Sequence, residues 1–181
     1  MRRRSVKVLL TGTASDSHTW NLVYLRLFLE EQGHEVTGLG PCVPDELLVA
    51  ACAEPRPDLV VISSVNGHGY RDGLSAVRAL RAAGVQVPVV VGGKLGVAGR
   101  ADEERRNMLL EAGCSAVFDD GDVQALRAFT AALVLADPAD DDAAPMAVPP
   151  AVPGSAERVP VVSERVPVVP ARVPVASGAV A

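Results

Sequence analysis

Aromatic residues are scarce in this 181-residue chain: Phe, Trp and Tyr together make up 3% of it, while 49% of the residues are hydrophobic. A core must therefore be filled mainly by Val, Leu and Ala, which is typical of a buried parallel sheet covered by Ala-rich helices. Basic stripes interleaved with aromatics are also missing, and the net charge is −5. We therefore expect no nucleic-acid partner.

Long apolar runs are missing as well. No stretch approaches the roughly 20 consecutive apolar residues that span a membrane. The arginines at positions 2–4 resemble the basic start of a signal peptide, but the apolar run Val6–Leu10 behind them is too short for one and fits a first strand. We expect a cytoplasmic protein with no membrane partner.

Cysteine is rare and scattered. Cys42, Cys52 and Cys114 form no CxxC pair and no spacing with histidine that is typical of zinc sites. An odd number of unpaired cysteines without a secretory signal indicates reduced, buried thiols. This excludes a disulfide scaffold and a zinc finger.

Strand-like and helix-like patterns alternate over the first 136 residues. The predicted strands are short, Val/Ile/Leu-rich runs: Val6–Thr11, Glu35–Leu39, Leu59–Ser63, Val87–Val91 and Ala116–Phe118. The predicted helices are Asn21–Gln32, Pro44–Ala53, Gly73–Ala83, Ala101–Ala112 and Val123–Ala136. Five such units predict an α/β fold, a flavodoxin-like, doubly wound, five-stranded parallel sheet.

The composition changes after residue 136. A Pro/Ala/Val-rich segment follows, in which Arg-Val-Pro-Val recurs at Arg158, Arg165 and Arg172. Proline at this frequency cannot continue a helix or a central strand. We therefore divide the chain into a folded domain, residues 1–136, and a tail, residues 137–181, that is disordered or polyproline-like.

The loop after the first strand contains Asp16 and His18, two residues apart. That spacing lets the carboxylate fold back onto one imidazole nitrogen and leaves the other free for a metal. One histidine is too few for zinc. It suffices for a metal that brings its own equatorial ligands, such as cobalt in a corrin or iron in a haem. The alternative is that Asp16 caps a helix and His18 lies in its first turn.

Two further loops follow predicted strands three and four at the same edge of the sheet, where ligands of such folds bind. One is rich in Ser and Gly, and begins with Ser63, Ser64 and Val65. The other begins with Gly92 and Gly93, where glycine permits a close backbone approach to a ligand. Ordinary turn chemistry is the alternative for the first of them.

Together the three loops resemble the cobalamin-binding domain family, in particular the small subunit of glutamate (methylaspartate) mutase. That family shows Asp-x-His-x-x-Gly, Ser-x-Leu and Gly-Gly after strands one, three and four. The matching stretches are Asp16-Ser17-His18, Ser63-Ser64-Val65 and Gly92-Gly93, and the likeness covers about residues 6–135. Asn21, preceded by Trp20, replaces the family's glycine and is predicted to narrow the slot for the nucleotide tail. Val65 replaces the leucine.

The resemblance implies adenosylcobalamin as the cofactor, bound with its dimethylbenzimidazole off the cobalt and His18 as the lower cobalt ligand, oriented by Asp16. It also implies that Ser63 hydrogen-bonds the buried base and that the backbone of Gly93–Val97 holds the tail. The implied cofactor-binding residues are Ser15, Asp16, Ser17, His18, Thr19, Ser63, Ser64, Val65, Gly92, Gly93, Lys94, Leu95, Gly96 and Val97.

The function implied is that of the cobalamin-binding subunit of a carbon-skeleton mutase, an isomerase. The catalytic barrel, which binds the amino-acid substrate, would be a separate subunit. This chain would be inactive without it. The alternatives are a corrinoid methyl-group carrier, a cobalamin sensor or a flavodoxin-like FMN carrier. Methyl carriers usually have a helical cap ahead of the domain, and only five residues precede strand one. Asp16 would repel a flavin phosphate, and Ser63 and Ser64 stand where a phospho-receiver needs an aspartate.

Overall fold

The structure is a computed structural model that describes residues 5–96, 100–119 and 121–135. Strands and helices alternate along the chain. The elements are β1 (Lys7–Gly12), α1 (Trp20–Glu31), β2 (Glu35–Gly40), α2 (Asp45–Ala51), β3 (Leu59–Ser64), α3 (Gly69–Ala82), β4 (Val89–Gly93), α4 (Arg100–Glu111), β5 (Ala116–Asp119) and α5 (Val123–Leu135).

The five strands form one sheet in the order β2-β1-β3-β4-β5, and every neighbouring pair is parallel. This confirms the predicted flavodoxin-like, doubly wound topology. β2 lies on one side of β1, and β3, β4 and β5 follow on the other. The helices that come after β1 and after β3 therefore pack on opposite faces of the sheet. The point between these two strands is the topological switch point, where such sheets bind ligands.

The strands form because their residues are buried on both faces. All six residues of β3 are buried, and alternate residues enter two different cores. Val60 and Ile62 pack in a cluster with residues of α2, α3 and α4, whereas Leu59 and Val61 pack with residues of α1 and α5. Each fully buried Val, Leu or Ile contributes about 1.5–3 kcal/mol, so the two clusters together hold the helices on the sheet.

Most elements lie within one or two residues of their predicted bounds, and β4 and α3 differ most. β4 was expected at Val87–Val91 but spans Val89–Gly93. Pro88 has no N–H for the ladder, and the strand instead continues through its two glycines, which pair with Ser63 and Ser64. The glycines therefore belong to the strand and not to the loop after it.

Helix α3 begins at Gly69, one turn before the predicted start at Gly73. Both glycines are buried on the side of α3 that faces the sheet. A Cβ on Gly69 would approach Leu95 Cα and Ser64 Cβ to 3.1 Å, and one on Gly73 would approach Val91 Cγ1 to 3.0 Å. Gly69 was predicted to lie in a loop. In the structure both positions require glycine because the helix packs closely against the strands.

The cysteines differ in exposure. All three are free, and Cys52 and Cys114 are buried as predicted. Burial raises the pKa of the Cys114 thiol to about 11. The prediction was wrong for Cys42, which lies exposed in the loop between β2 and α2.

Within the described part of the chain, none of the helices combines the length and the hydropathy needed to cross a membrane. Residues 137–181 lie outside the described residues. The division into a domain and a tail therefore stays a prediction.

Candidate functional site

The three loops singled out from the sequence meet at one edge of the sheet. β1 ends at Gly12, β3 at Ser64 and β4 at Gly93. The register pairs Gly12 with Ser63, and Ser63 in turn with Gly92. The segments that follow these strands are therefore neighbours at the switch point.

Asp16 is the most buried charged residue at this edge, with 1% of its surface exposed. Its Oδ1 accepts hydrogen bonds from the His18 backbone N–H at 3.0 Å and from His18 Nδ1 at 2.6 Å. Its Oδ2 accepts from Ser64 Oγ at 3.0 Å and from the Val65 N–H at 2.6 Å. The predicted contact between the Asp16 carboxylate and one nitrogen of the His18 imidazole is confirmed. The alternative of a helix cap is wrong, because α1 begins only at Trp20, with Thr19 as its N-cap.

The hydrogen bonds keep Asp16 ionised. Burial by itself would raise the pKa of this carboxyl, but the bonds from the His18 and Val65 backbone, the His18 ring and Ser64 outweigh it and hold the pKa below its ordinary value. An ionised carboxylate only accepts, so Nδ1 of His18 must carry the proton. The neutral imidazole then has its lone pair on Nε2. Because 48% of the His18 side chain is exposed, Nε2 is the nitrogen available to an external ligand.

A second polar group lies buried beside this network. Asn21, in the first turn of α1, is 5% exposed, and its Nδ2 donates to Ser63 Oγ at 3.0 Å. Its Oδ1 has no hydrogen-bond partner among the described residues, nor does Oγ1 of Thr13, which is 2% exposed. Buried polar atoms without partners are uncommon. Two of them next to one edge of the sheet mean that hydrogen-bonding capacity is left unused there in the ligand-free protein.

Asn66 connects the first two loops, and sequence reasoning missed it. Its Nδ2 donates to the Ser15 carbonyl oxygen at 3.1 Å and to Ser15 Oγ at 3.0 Å. Its Oδ1 accepts from the His68 N–H at 2.9 Å. The hydroxyl of Ser15 also donates to Asp72 of α3. These residues and Arg71 line an open recess of about 420 Å³. The sequence signal for the role of Asn66 was its position as a polar residue directly after a buried strand.

The two glycines of β4 are required by the sheet itself. A Cβ on Gly92 would approach the Phe118 carbonyl oxygen to 3.0 Å. Gly93 has φ +112°, and a Cβ there would overlap the carbonyl oxygen of Ser64. Their presence in the sequence is therefore explained by backbone packing, whether or not a ligand also approaches them.

The remaining predicted site residues fall into four groups by exposure and position. Ser15, Ser17, Thr19 and Lys94 are exposed at the edge, and Val65 and Gly96 are half-buried. The Leu95 side chain lies wholly in the core, and its N–H donates to Asp119 Oδ1 at 3.4 Å. Oδ2 of Asp119 also accepts a hydrogen bond from the phenolic Oη of Tyr70 at 2.8 Å, a contact not anticipated from the sequence. Val97 lies outside the described residues.

The donor set limits the kind of metal that could bind. Among the described residues no group of three or more His, Cys, Asp or Glu side chains is placed to hold a metal ion. A bare zinc ion needs three or four such ligands. The edge offers one oriented imidazole, which suits a metal that arrives with its other ligands already in place.

Fold and site thus define a flavodoxin-like α/β domain that presents one carboxylate-oriented histidine at the switch point of its sheet. The chain matches the B12 binding domain over residues 6–121, and it belongs to that family.

Relatives of known identity support this assignment. The chain is 33% identical to the glutamate mutase sigma subunit of Halobacterium salinarum over 111 residues, which are 61% of this chain and 74% of that protein. It is 34% identical over 87 residues to the HTH-type transcriptional repressor CarA of Myxococcus xanthus, covering 48% of this chain but only 30% of CarA. A cobalamin-binding protein from Desulfitobacterium hafniense superposes with a TM-score of 0.51 at 26% identity, over 63% of this chain and 53% of that one.

Proposed function

We propose that this chain is the cobalamin-binding subunit of an adenosylcobalamin-dependent carbon-skeleton mutase of the glutamate mutase type. It would hold the cofactor with the dimethylbenzimidazole off the cobalt and His18 as the lower cobalt ligand. Family membership and the likeness to glutamate mutase sigma subunits support this assignment. The adenosyl form, the histidine ligation and the partner subunit are the parts that experiment must test.

The observation that carries the proposal is the Asp16–His18 pair. The distance of 2.6 Å between Asp16 Oδ1 and His18 Nδ1 fixes both the tautomer and the ring orientation of the histidine. A hydrogen-bonded carboxylate of this kind raises the basicity of a ligating imidazole. Because Asp16 is itself held by Ser64 and Val65, the ring is oriented before any ligand arrives.

The residues at the edge fit a corrinoid. A corrinoid brings most of its metal's ligands with it, so the single oriented imidazole of His18 is the one metal ligand that the protein would need to add. The nucleotide tail of a complete cobalamin would be held by the residues beside His18. The buried Oγ1 of Thr13, which has no hydrogen-bond partner among the described residues, and the hydroxyl of Ser63 are the polar groups that would face the tail in this region.

The residues at this edge of the sheet would then have distinct roles in holding the cofactor. His18 would bind the metal, and Asp16 would hold the proton on Nδ1. Ser63 would hydrogen-bond the base of the tail, and the backbone after Gly93 would contact the tail's polar groups. The bound cofactor would supply radical chemistry through its cobalt–carbon bond. The amino-acid substrate would be held by a separate barrel subunit that binds over this edge in a hetero-oligomer.

A cobalamin sensor is the second candidate function. The match to the CarA repressor over 87 residues favours it. The likeness to the sigma subunits is more extensive, because it covers 74% of the Halobacterium protein but only 30% of CarA. For this reason we prefer the mutase subunit.

Absorption spectroscopy tests the proposal directly. The purified chain is titrated with adenosylcobalamin and with methylcobalamin, and the cobalt-ligand bands are recorded. We expect both forms to shift to a histidine-ligated spectrum. His18→Ala should abolish the shift, and Asp16→Asn should weaken binding roughly 10- to 100-fold, as loss of an orienting acid does at other metal sites.

His34→Gln is the matched control, because His34 lies in the turn between α1 and β2, at the opposite edge of the sheet. Its spectrum and affinity should equal those of the wild type. Failure of the wild type to take up cobalamin, with or without a barrel subunit, would refute the proposal. Isomerisation of an amino acid only when both subunits and adenosylcobalamin are present would separate a mutase from a sensor.

A further inference from the structure

Asn21 lies buried between α1 and the end of β3, close in sequence to His18. It follows His18 by three residues and lies in the first turn of α1, yet only 5% of it is exposed. Its amide reaches across to the end of β3, where Nδ2 donates to Ser63 Oγ at 3.0 Å. Ser63 is itself 1% exposed, so the pair closes the gap between α1 and the sheet beside the histidine.

The bond between Asn21 and Ser63 leaves the closed arrangement incomplete. Oδ1 of Asn21 is buried and has no hydrogen-bond partner among the described residues. Rotating the amide by about 180° would exchange Oδ1 and Nδ2, but one of these atoms would still have no partner among the described residues. An amide that is half satisfied in a buried site is held less firmly than a fully bonded one. The side chain can therefore be displaced at modest cost.

The lower face of a corrinoid fixes the direction of its tail. When His18 binds the metal from below, a nucleotide attached to the same face must pass beside the imidazole into the protein. Cobinamide, the corrinoid without the nucleotide, has no such group to place. The two ligands therefore differ in whether they require the space that Asn21 and Ser63 now close.

We propose that Asn21 is a specificity-determining residue: its amide closes the slot beside His18 and must leave Ser63 before the nucleotide tail of a complete corrinoid can enter. The inference rests on the proposed cobalamin-binding function. It predicts that Asn21 weakens the binding of cobalamin and leaves the binding of cobinamide unchanged.

The test compares two ligands on four proteins. The affinities of adenosylcobalamin and adenosylcobinamide are measured by titration for the wild type, Asn21→Gly, Asn21→Ala and the control Asn107→Ala. Asn107 is exposed on α4, away from the edge loops. We expect Asn21→Gly to bind cobalamin about tenfold more tightly, which corresponds to about 1.4 kcal/mol, and cobinamide within about twofold of the wild type.

Asn21→Ala protects the test against a misfolded glycine variant, because alanine favours the helix and still removes the amide. It should shift the ratio of the two affinities in the same direction. Association rates give a second readout: cobalamin should bind the wild type more slowly than cobinamide does, and this difference should shrink in both Asn21 variants.

The outcomes are distinguishable. An unchanged affinity ratio in both Asn21 variants, with binding that still depends on His18, would overturn this inference alone. A loss of cobalamin affinity in those variants would overturn it as well, because the amide would then hold the tail. If neither corrinoid binds any of the proteins, the inference and the proposed function fail together.

Discussion

Asp16 determines the geometry of the candidate site at the scale of single residues. Four donors converge on its two oxygens, and they come from the backbone and side chains of three residues, His18, Ser64 and Val65. A buried carboxylate is costly unless it is bonded in this way. The same bonds that offset its burial also align the imidazole, so stability and ligand orientation depend on one group.

Replacing Asp16 by Asn should therefore lower the stability of the ligand-free protein. An amide group cannot accept from both His18 and the Val65 N–H, so a buried donor loses its partner at a cost of about 1–3 kcal/mol. We expect the free energy of unfolding in urea to fall by about 2 kcal/mol. His18→Ala, which removes a half-exposed ring, should lower it by less than about 1 kcal/mol. Equal stability of Asp16→Asn and wild type would contradict this interpretation of the network.

His34 should make stability depend on pH near neutrality. Burial lowers its pKa below the ordinary 6.5, and its Nδ1 is buried without a hydrogen-bond partner among the described residues. The folded state thus favours the neutral ring. Its stabilisation is complete above the unfolded pKa of about 6.5 and is lost as the pH falls through the lower folded value.

The measurement is urea unfolding at several pH values between about 7 and 5. The wild type should lose more stability over this range than His34→Gln, in which the titrating ring is missing. Because His18 and His68 are present in both proteins, the difference isolates His34. Parallel curves for the two proteins would show that His34 does not contribute.

At the scale of elements, the close contact between β3 and β4 determines where the site loops start. The two strands pair from Val60 and Val89 to Ser64 and Gly93. The backbone of Gly93 lies so close to the Ser64 carbonyl that no side chain fits between them. This contact brings the segment after β4 next to Ser64 and hence next to Asp16.

Gly93→Ala should disrupt this pairing, because alanine is strained at φ +112° and its Cβ would overlap Ser64. We expect a loss of about 3 kcal/mol in the free energy of unfolding. Gly38→Ala in β2 is the matched control, since a Cβ there meets nothing within 4 Å. It should be neutral or stabilising by up to about 1 kcal/mol. Similar stabilities of the two variants in thermal unfolding would disprove the steric argument.

At the scale of the whole molecule, the hydrophobic cores and the candidate site occupy separate regions. The two buried clusters lie on the faces of the sheet, whereas the polar network lies at the carboxyl ends of its strands. Loops at such an edge can change without altering the core. The separation allows Asn21, in the first turn of α1, to contact Ser63 without taking part in either cluster.

Removing residues 137–181 should leave the domain stable. Every residue of the two clusters lies between Val6 and Val134, so the truncated chain keeps its whole described core. We expect its midpoint of urea unfolding and its affinity for adenosylcobalamin to match those of the full chain. A drop of more than about 1 kcal/mol in the free energy of unfolding would mean that the tail contributes to folding.

The sequence was sufficient to predict the order of the strands and helices and the Asp16–His18 pair. Buried parallel strands are continuous runs of branched aliphatic residues, and this pattern is local. The carboxylate and the imidazole are only two residues apart, so their contact could also be inferred from spacing. The boundaries of β4 and α3 were missed because they depend on close packing between distant segments.

Only the packed sheet reveals the rest of the site. Ser64 and Val65 bond Asp16 across 48 and 49 positions of sequence, Asn66 reaches Ser15 across 51, and Asn21 meets Ser63 across 42. Contacts at such separations depend on which strands lie side by side, and no local pattern records that. Neighbouring residues therefore specified which histidine is oriented, while the tertiary structure decided what holds it and what closes the space beside it.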